Sequence, residues 1–449
     1  MKFQTSVLSR SIKATILAAS GLVVSQSALS AGFALNDHSA TASGNALAGA
    51  AASNSDMSFS FWNPALLDNG NALDSNGNGS RSAVYASGAL ILPDMDVTVN
   101  SAADPVGNPM TGEADNVVDK SFVPSLHYAY ALDSDTTIGA SFNVPFGLAG
   151  KYGRDWAGRY HSAETEVQVL TLALSASHKL SPELKIGGSV QVHRGYVLLA
   201  SALTDFNGGS SAGGEGYGEL EGDDISVGYA FGLAYEPMPG TRLGVGHRSE
   251  IDFTFEGDAK YENVPPTMAA LGVDNAYVFD QIDFPSVTTL SLEHDLNKKL
   301  TLGLTAMHTG WSSMDELRIA FAAGEDKVKQ PDSVLTFDFE DQWFYSVGAT
   351  YQANDKLTLR TGFAKDNSPV KEEYRSARTP DGDRTWMSFG SSYQLSADSS
   401  VHLAYTYVNV DKVNLNRTGQ LAEDASRGSV NADYDTDAHV FSVGFNMNF

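Results

Sequence analysis

The chain contains no cysteine, no long apolar run and few basic residues for its length. Because none of the 449 residues carries a thiol, disulfide bonds and thiolate metal sites are excluded. No segment reaches the ~20 consecutive apolar residues that a transmembrane helix needs, and the mean hydropathy of -0.18 also argues against a helical membrane protein. The net charge of -25 argues against a nucleic-acid backbone as a partner.

The first 30 residues have the pattern of a secretory signal peptide. A basic start precedes an apolar stretch over 14–24, and small residues follow at 28–30. We expect cleavage after Ser30, so that the mature chain begins at Ala31. A membrane anchor is the alternative, but the apolar stretch is too short to cross a membrane as a helix.

Apolar and polar residues alternate in many later segments, which predicts strands with one lipid-facing side and one polar side. Clear examples are 300–306, 343–351 and 441–449. The last of these ends on Phe449, as is typical of bacterial outer-membrane β-barrels. The predicted strands are 82–98, 121–132, 136–148, 164–180, 183–199, 224–236, 240–256, 284–296, 298–312, 334–353, 356–365, 384–396, 399–410 and 435–449.

The connections between these strands alternate between six short turns and seven long loops. Outer-membrane barrels have short periplasmic turns and long external loops, whereas a soluble sandwich has no reason to segregate loop lengths. We therefore predict an all-β fold, a 14-stranded antiparallel transmembrane β-barrel with both chain ends on the periplasmic side. The acidic, glycine-rich loops suit a surface that faces water, divalent cations or lipopolysaccharide.

The segment before the first strand has a different composition. It is rich in alanine, serine and asparagine, and it carries a cluster of large apolar residues over 59–67. A barrel of this size leaves a lumen, so we predict that 31–75 is an N-terminal hatch that plugs it; a flexible periplasmic tail is the alternative. The domains are then a signal peptide (1–30), the hatch (31–75) and the barrel (76–449).

No catalytic motif is present. The ten histidines are scattered, and the sequence has no H-E-x-x-H, no G-x-S-x-G and no P-loop. We expect a protein that is not an enzyme and that uses no cofactor and no metal. A barrel enzyme that assembles serine, histidine and acidic groups across strands is the alternative.

Several stretches resemble the outer-membrane long-chain fatty-acid transporter family of the FadL type. The start of the mature chain, AGFALN over 31–36, is similar to the family's mature start, and NPAL over 63–66 is similar to the end of its hatch. RSEIDF over 248–253, DNSPV over 366–370 and PDGDR over 380–384 also match in order. The resemblance spans essentially the whole mature chain.

The resemblance implies a monomeric barrel that takes up hydrophobic molecules, usually long-chain fatty acids, without an energy source in the membrane. The ligand is caught near the external loops, enters an apolar pocket beside the hatch and leaves sideways where the third strand is kinked. Here Val144-Pro145-Phe146-Gly147 interrupts that strand, because proline lacks a ladder donor and glycine permits a bulge. An ordinary strand end beneath a long loop is the alternative.

The resemblance also implies site residues. Phe33 is expected near the ligand pocket, and Asn63 and Pro64 are expected to fix the hatch against the wall, or to form a plain turn. Asp366 matches an acidic residue tied to transport in the family. The alternative role for Asp366 is a turn that caps its strand.

The residues that would recognise the carboxylate head group of a fatty acid do not follow from the resemblance. We found no counterpart of the interior basic side chains that meet a carboxylate in well-studied members. In the fifth strand His193 is expected to face inward and Arg194 outward. Two alternatives to fatty-acid uptake therefore remain. One is a channel for aromatic or alkane hydrocarbons, and the other is a surface adhesin or phage receptor. The expected partners are the hydrophobic ligand, membrane lipid and lipopolysaccharide.

Overall fold

The computed structural model describes residues 32–68, 79–114, 117–209, 215–322 and 329–449. The expected signal peptide (1–30), its cleavage site, and residues 31 and 69–75 of the expected hatch lie outside these ranges. Among the described residues, no helix is long and apolar enough to cross a membrane.

Fourteen antiparallel strands form a closed barrel, which confirms the predicted fold class. Interruptions divide five of the strands into two segments each. The strands are β1 (Ser82–Ala103), β2 (Ser121–Ala131), β3 (Thr136–Lys151), β4 (Glu164–Ser181), β5 (Leu184–Leu203), β6 (Gly216–Met238), β7 (Thr241–Arg248 and Ile251–Glu262), β8 (Ala276–Phe284 and Val287–Asn297), β9 (Leu300–Thr309 and Glu316–Phe321), β10 (Ser333–Thr336 and Gln342–Gln352), β11 (Leu357–Asp366), β12 (Arg384–Gln394), β13 (Ser399–Val410 and Val413–Arg417) and β14 (Ser429–Asn448). The short helices are Ala40–Ser43, Met57–Phe61, Pro64–Leu66, Pro266–Ala270, Trp311–Ser313 and Ala422–Ser426.

The first and last strands close the barrel. The ladder between β1 and β14 runs from the pair Ala83–Asn448 to the pair Ala103–Ser429. Strands extend further into the external loops than predicted; β6, for example, begins at Gly216 rather than at residue 224. The first residues of β6 are glycine-rich and acidic and show no apolar–polar alternation, although the backbone ladder with β5 already begins there.

The barrel wall has an apolar outer face. On β6 the side chains of Val227, Tyr229 and Phe231 are exposed, whereas the intervening Gly228 and Ala230 are buried. This alternation places aliphatic and aromatic groups toward lipid and small groups toward the interior.

Residues 32–68, which we call the hatch, are buried almost throughout and contact inward-facing residues of several strands. They form short turns rather than long helices, and their backbone groups bond to side chains of the wall. The Gly49 amide donates to Thr305 Oγ1 at 2.9 Å, and the Ala51 amide donates to Ser291 Oγ at 2.9 Å. Thr305 Oγ1 in turn donates to Leu47 O at 2.8 Å. These contacts satisfy backbone groups that no helix or ladder pairs.

Glycines of the wall let the hatch backbone approach closely. A Cβ at Gly187 would overlap the backbone of Pro64 and Ala65, and one at Gly303 would lie 2.8 Å from Ala48 O. The wall glycines that meet the hatch backbone in this way are Gly187, Gly244, Gly246, Gly303, Gly348, Gly362 and Gly390, and Gly232 makes room for the side chains of Asn63 and Pro64. The wall therefore carries a glycine belt against which the hatch is seated.

The substitution Gly187→Val should displace the hatch, because the obstructing atoms belong to backbone. We expect a raised permeability of the barrel to small solutes, measured as single-channel conductance in planar bilayers. Gly188→Val is the matched control, because its Cβ would meet only Ala230 O at 3.7 Å. Equal conductance of the two variants would show that the glycine belt does not hold the hatch.

Candidate functional site

The ladder between β2 and β3 is incomplete. It ends at the pair Leu126–Phe142, although β3 continues to Lys151. Beyond that point the register between β3 and β4 shifts between Asn143 and Phe146. The interruption lies at the Val144-Pro145-Phe146-Gly147 segment, where proline supplies no N–H for a ladder. Within the described residues, this part of β3 has no ladder partner on β2.

The start of the hatch pairs with β3 instead. The Leu35 amide donates to Pro145 O at 2.8 Å, and the Gly147 amide donates to Phe33 O at 2.9 Å. We call residues 32–36 the arm. The arm covers the edge of β3 that β2 leaves without a partner.

A loop carboxylate holds the beginning of the arm. The Gly32 amide donates to Asp381 Oδ2 at 2.9 Å, and Ser368 Oγ donates to the same oxygen at 2.7 Å. Asp381 also forms an ion pair with Arg384, and both side chains are buried. One buried carboxylate therefore connects the arm, the 366–383 loop and β12.

Phe33 lies at the centre of an aromatic cluster inside the barrel. Its ring centroid is 4.7 Å from that of Trp311, 5.4 Å from that of Phe284 and 6.1 Å from that of Phe146, all in edge-on arrangements. We call these residues, together with Phe253, Phe255, Ile251 and the other members of their buried cluster, the apolar chamber, because several of the members also line an apolar pocket. Phe146 belongs both to this chamber and to the interrupted strand.

Asn63 and Pro64 connect the hatch to the wall and also form a turn. Asn63 is fully buried, and its Nδ2 donates to Ala51 O at 2.7 Å and to Leu233 O of β6 at 2.9 Å. Asn63 Oδ1 accepts from the Ala65 amide at 3.0 Å, and Pro64 is the first residue of the short helix that follows. The same pair thus caps a helix and ties it to the barrel.

Asp366 is the last residue of β11 and lies opposite Arg384 in the ladder with β12. Its side chain accepts a hydrogen bond from the Gln342 side chain. It is 2% exposed. Two residues later the Ser368 amide donates to Asp383 Oδ1 at 2.9 Å. Asp366 thus lies beside the polar cluster around Asp381, which holds the arm.

A polar cavity lies between the hatch and strands β3 to β5, β7 and β8. It encloses about 490 Å³ when the part that is open to solvent is included, and it is lined by Asn143, Gln191, His193, Arg248 and Phe61 among others. His193 is buried, with Nδ1 2.8 Å from Thr171 Oγ1. Pro145, Phe146 and Ile251 also line it, so it adjoins the interrupted strand and the apolar chamber.

The sequence analysis did not place Arg248 in the lumen. The pattern of buried and exposed residues along its strand nevertheless indicates that position. Arg248 shares parity with Gly244 and Gly246, which are buried, whereas Leu243 and Val245 are exposed. That parity turns Arg248 inward. By contrast Arg194 is half-exposed and lies 3.8 Å from Asp223.

Comparison with known proteins agrees with this architecture. Residues 21–449 match the family model described as "Outer membrane protein transport protein (OMPP1/FadL/TodX)". The chain belongs to this family. It is therefore an outer-membrane transport protein of a Gram-negative bacterium, which confirms the resemblance and the localisation predicted from the sequence.

Individual relatives cover the chain almost completely. The long-chain fatty acid transport protein of Escherichia coli is 26% identical, over 96% of this chain and 98% of the relative. A crystallised FadL homologue of Pseudomonas aeruginosa is 22% identical with a TM-score of 0.83, over 93% of this chain and 100% of that one. The toluene transporter TbuX of Ralstonia pickettii is 17% identical with a TM-score of 0.65, over 93% and 98%. These two structures show the shared fold.

The substitution Asp381→Asn should loosen the arm. It removes the charge that balances buried Arg384, and breaking a buried ion pair costs about 3–5 kcal/mol. We expect faster hydrogen exchange of the Leu35 and Gly147 amides, measured by mass spectrometry on the protein in detergent.

The control for this change is Asp383→Asn in the same loop. Asp383 accepts from the Ser368 amide and pairs with Lys365 at 3.4 Å, but in the described part of the chain no hydrogen bond or ion pair joins it to the arm. An equal change of exchange in both variants would contradict a specific role of Asp381.

Proposed function

We propose that the protein takes up hydrophobic molecules passively, with long-chain fatty acids as the first candidate. The ligand enters the apolar chamber beside the hatch and leaves sideways past the interrupted β3. The observation that carries this proposal is that Phe146 belongs both to the chamber and to the segment of β3 without a ladder partner on β2.

Elementary energetics favour a lateral route. Burial of each CH₂ group contributes about 0.8 kcal/mol, so an acyl chain is strongly held wherever it is away from water. A path from the chamber into the bilayer keeps the chain in apolar surroundings throughout, and no aqueous pore is required. The concentration gradient of the ligand is then sufficient to drive transport.

The arm is the part that has to move. Two backbone hydrogen bonds join it to β3, at Leu35–Pro145 and Gly147–Phe33. We propose that the ligand displaces the arm from this edge, with Phe33 and His193 as ligand contacts. Asp366 then supports the loop that holds the arm. We further propose that the protein acts as a monomer in contact with lipopolysaccharide.

Hydrocarbon transport is the second candidate. A relative in Escherichia coli is named a long-chain fatty acid transport protein, whereas a structure of the same fold is a toluene transporter. The aromatic rings around Phe33 suit either kind of molecule. An adhesin or phage receptor has no need of a lined chamber or an interrupted wall, so those features favour transport.

Cells that carry the protein should accumulate labelled oleate faster than cells of the same strain without it. The measurement is the initial rate of uptake from albumin-bound oleate, with labelled toluene tested in parallel. Equal oleate rates in the two strains would remove fatty acid as the substrate. A difference confined to toluene would support the hydrocarbon channel.

The double substitution Pro145→Thr and Gly147→Val should slow transport while ligand binding persists. Threonine restores a ladder donor and valine favours a continuous strand, so β3 should pair with β2 and narrow the opening. The measurements are oleate uptake in cells and equilibrium binding to the purified protein. Wild-type values for both would mean that the ligand leaves elsewhere, through movement of the hatch.

A further inference from the structure

Asp280 is an acidic residue on an apolar part of the inner wall. It lies on β8, in an inward-facing row whose other members are Ala276, Val278, Ile282 and Phe284. In the ladder with β7 it lies opposite Phe255. Asp280 is only 8% exposed, and the residues around it belong to the apolar chamber. A carboxyl group in such surroundings is costly unless its oxygens have partners.

The two oxygens of this carboxyl group differ in their contacts. Oδ1 accepts from the backbone amide of Arg318 on β9 at 3.3 Å, which orients the group. Oδ2 is enclosed and has no hydrogen-bond partner among the described residues. The role of Asp280 as a partner for a backbone amide therefore accounts for one oxygen and leaves the other unexplained.

Asp280 lines an apolar pocket between strands β5 to β9. The pocket encloses about 350 Å³ when the part that is open to solvent is included. Its lining includes five members of the apolar chamber, namely Leu199, Phe255, Val278, Leu317 and Ile319. Asp37 and Asp283 also have one carboxyl oxygen without a partner within the described ranges, but neither residue lines this pocket. At Asp280 an enclosed acceptor and an apolar pocket occur together.

The charged side chains around the pocket already have partners of their own. Arg318 Nε donates to Glu316 Oε1 at 2.7 Å, so the guanidinium group is engaged with an acid of the same strand. Glu221, which also lines the pocket, forms an ion pair with Lys260. In the part of the chain that the structure describes, no cation lies within ion-pair distance of Asp280. The partner that Oδ2 lacks is therefore a donor from outside the chain.

We propose that the pocket at Asp280 binds an apolar ligand that carries a hydroxyl group, whose O–H donates to Asp280 Oδ2. A carboxylate accepts hydrogen bonds and repels a second anion. A hydrocarbon would leave the oxygen without a partner, and an ammonium group would have to give up the hydration of a full charge to enter the chamber. A hydroxyl group loses much less on entry. This inference rests on the proposed function, because the ligand has to reach the chamber, and it adds neutral alcohols and phenols as a ligand class.

The test compares two ligands that differ in one O–H group. 1-Naphthol and 1-methoxynaphthalene have the same rings, and the methyl ether cannot donate a hydrogen bond. Binding to the purified full-length protein in detergent is measured by equilibrium dialysis at neutral pH, with protein-free micelles as the reference for partitioning. Asp280→Leu should weaken binding of 1-naphthol about 10- to 100-fold, the range of a hydrogen bond to a charged partner. Binding of the ether should change less than about twofold, because it makes no such bond.

Asp280→Asn is the second variant, because its amide oxygen can still accept from the Arg318 amide. It should also weaken binding of 1-naphthol, but less than leucine does, since the charge is lost while a neutral hydrogen bond to the hydroxyl group is still available. Asp283→Leu is the matched control, because it removes an acid from the opposite face of the same strand. It should leave both affinities at their wild-type values. Heat-modifiable migration in gel electrophoresis checks that each variant forms a closed barrel.

The outcomes separate this site from the proposed function. Equal losses for the two probes in Asp280→Leu, or no loss for either, would overturn the hydroxyl site, whereas the apolar chamber would stand as a ligand site. Binding of neither probe by the wild type would overturn both the hydroxyl site and the proposed entry of ligands into the chamber.

Discussion

Every backbone N–H and C=O group at membrane depth needs a partner, because hydrocarbon offers none. A closed antiparallel barrel meets this need through its ladders, and the pairing of β1 with β14 removes the last free edge. The exception is β3 beyond Phe142. There the arm supplies the partners, at Pro145 O and at the Gly147 amide. The interruption of the wall and the position of the arm therefore depend on each other, because backbone groups of β3 and of the arm are hydrogen-bonded to one another.

The two parts of the N-terminal segment are held in different ways. The body of the hatch is seated on the glycine belt, with buried hydrogen bonds such as those of Asn63. The arm depends on two ladder bonds and on Asp381. Because strands and glycines surround the body of the hatch, its displacement would disturb many contacts at once. Release of the arm alone breaks only the two backbone bonds to β3 and the contact of Gly32 with Asp381, so it disturbs far fewer contacts.

Much of the fold could be predicted from the sequence. A wall with lipid on one side imposes the alternation of apolar and polar residues, and a barrel in the outer membrane separates short turns from long loops. The outer ends of strands such as β6 could not, since their glycine-rich and acidic sequence carries no alternation of apolar and polar residues. The interruption of β3 was predictable from Pro145 and Gly147. The pairing of the arm with β3 was not, because a backbone bond between distant segments leaves no side-chain pattern. The inward position of Arg248 was predictable from parity with Gly244 and Gly246, whereas the enclosure of its Nη1 atom without a hydrogen-bond partner among the described residues required the three-dimensional arrangement.

The positions of the two compartments bear on the exit that we propose. The polar cavity and the apolar chamber meet at Phe146 and Ile251, and Phe146 also lies in the interrupted segment of β3. An apolar ligand in the chamber would therefore lie next to the part of the wall where the ladder is incomplete. If it leaves there, as we propose, it exchanges contacts with aromatic side chains for contacts with lipid, and neither step requires its apolar part to enter water.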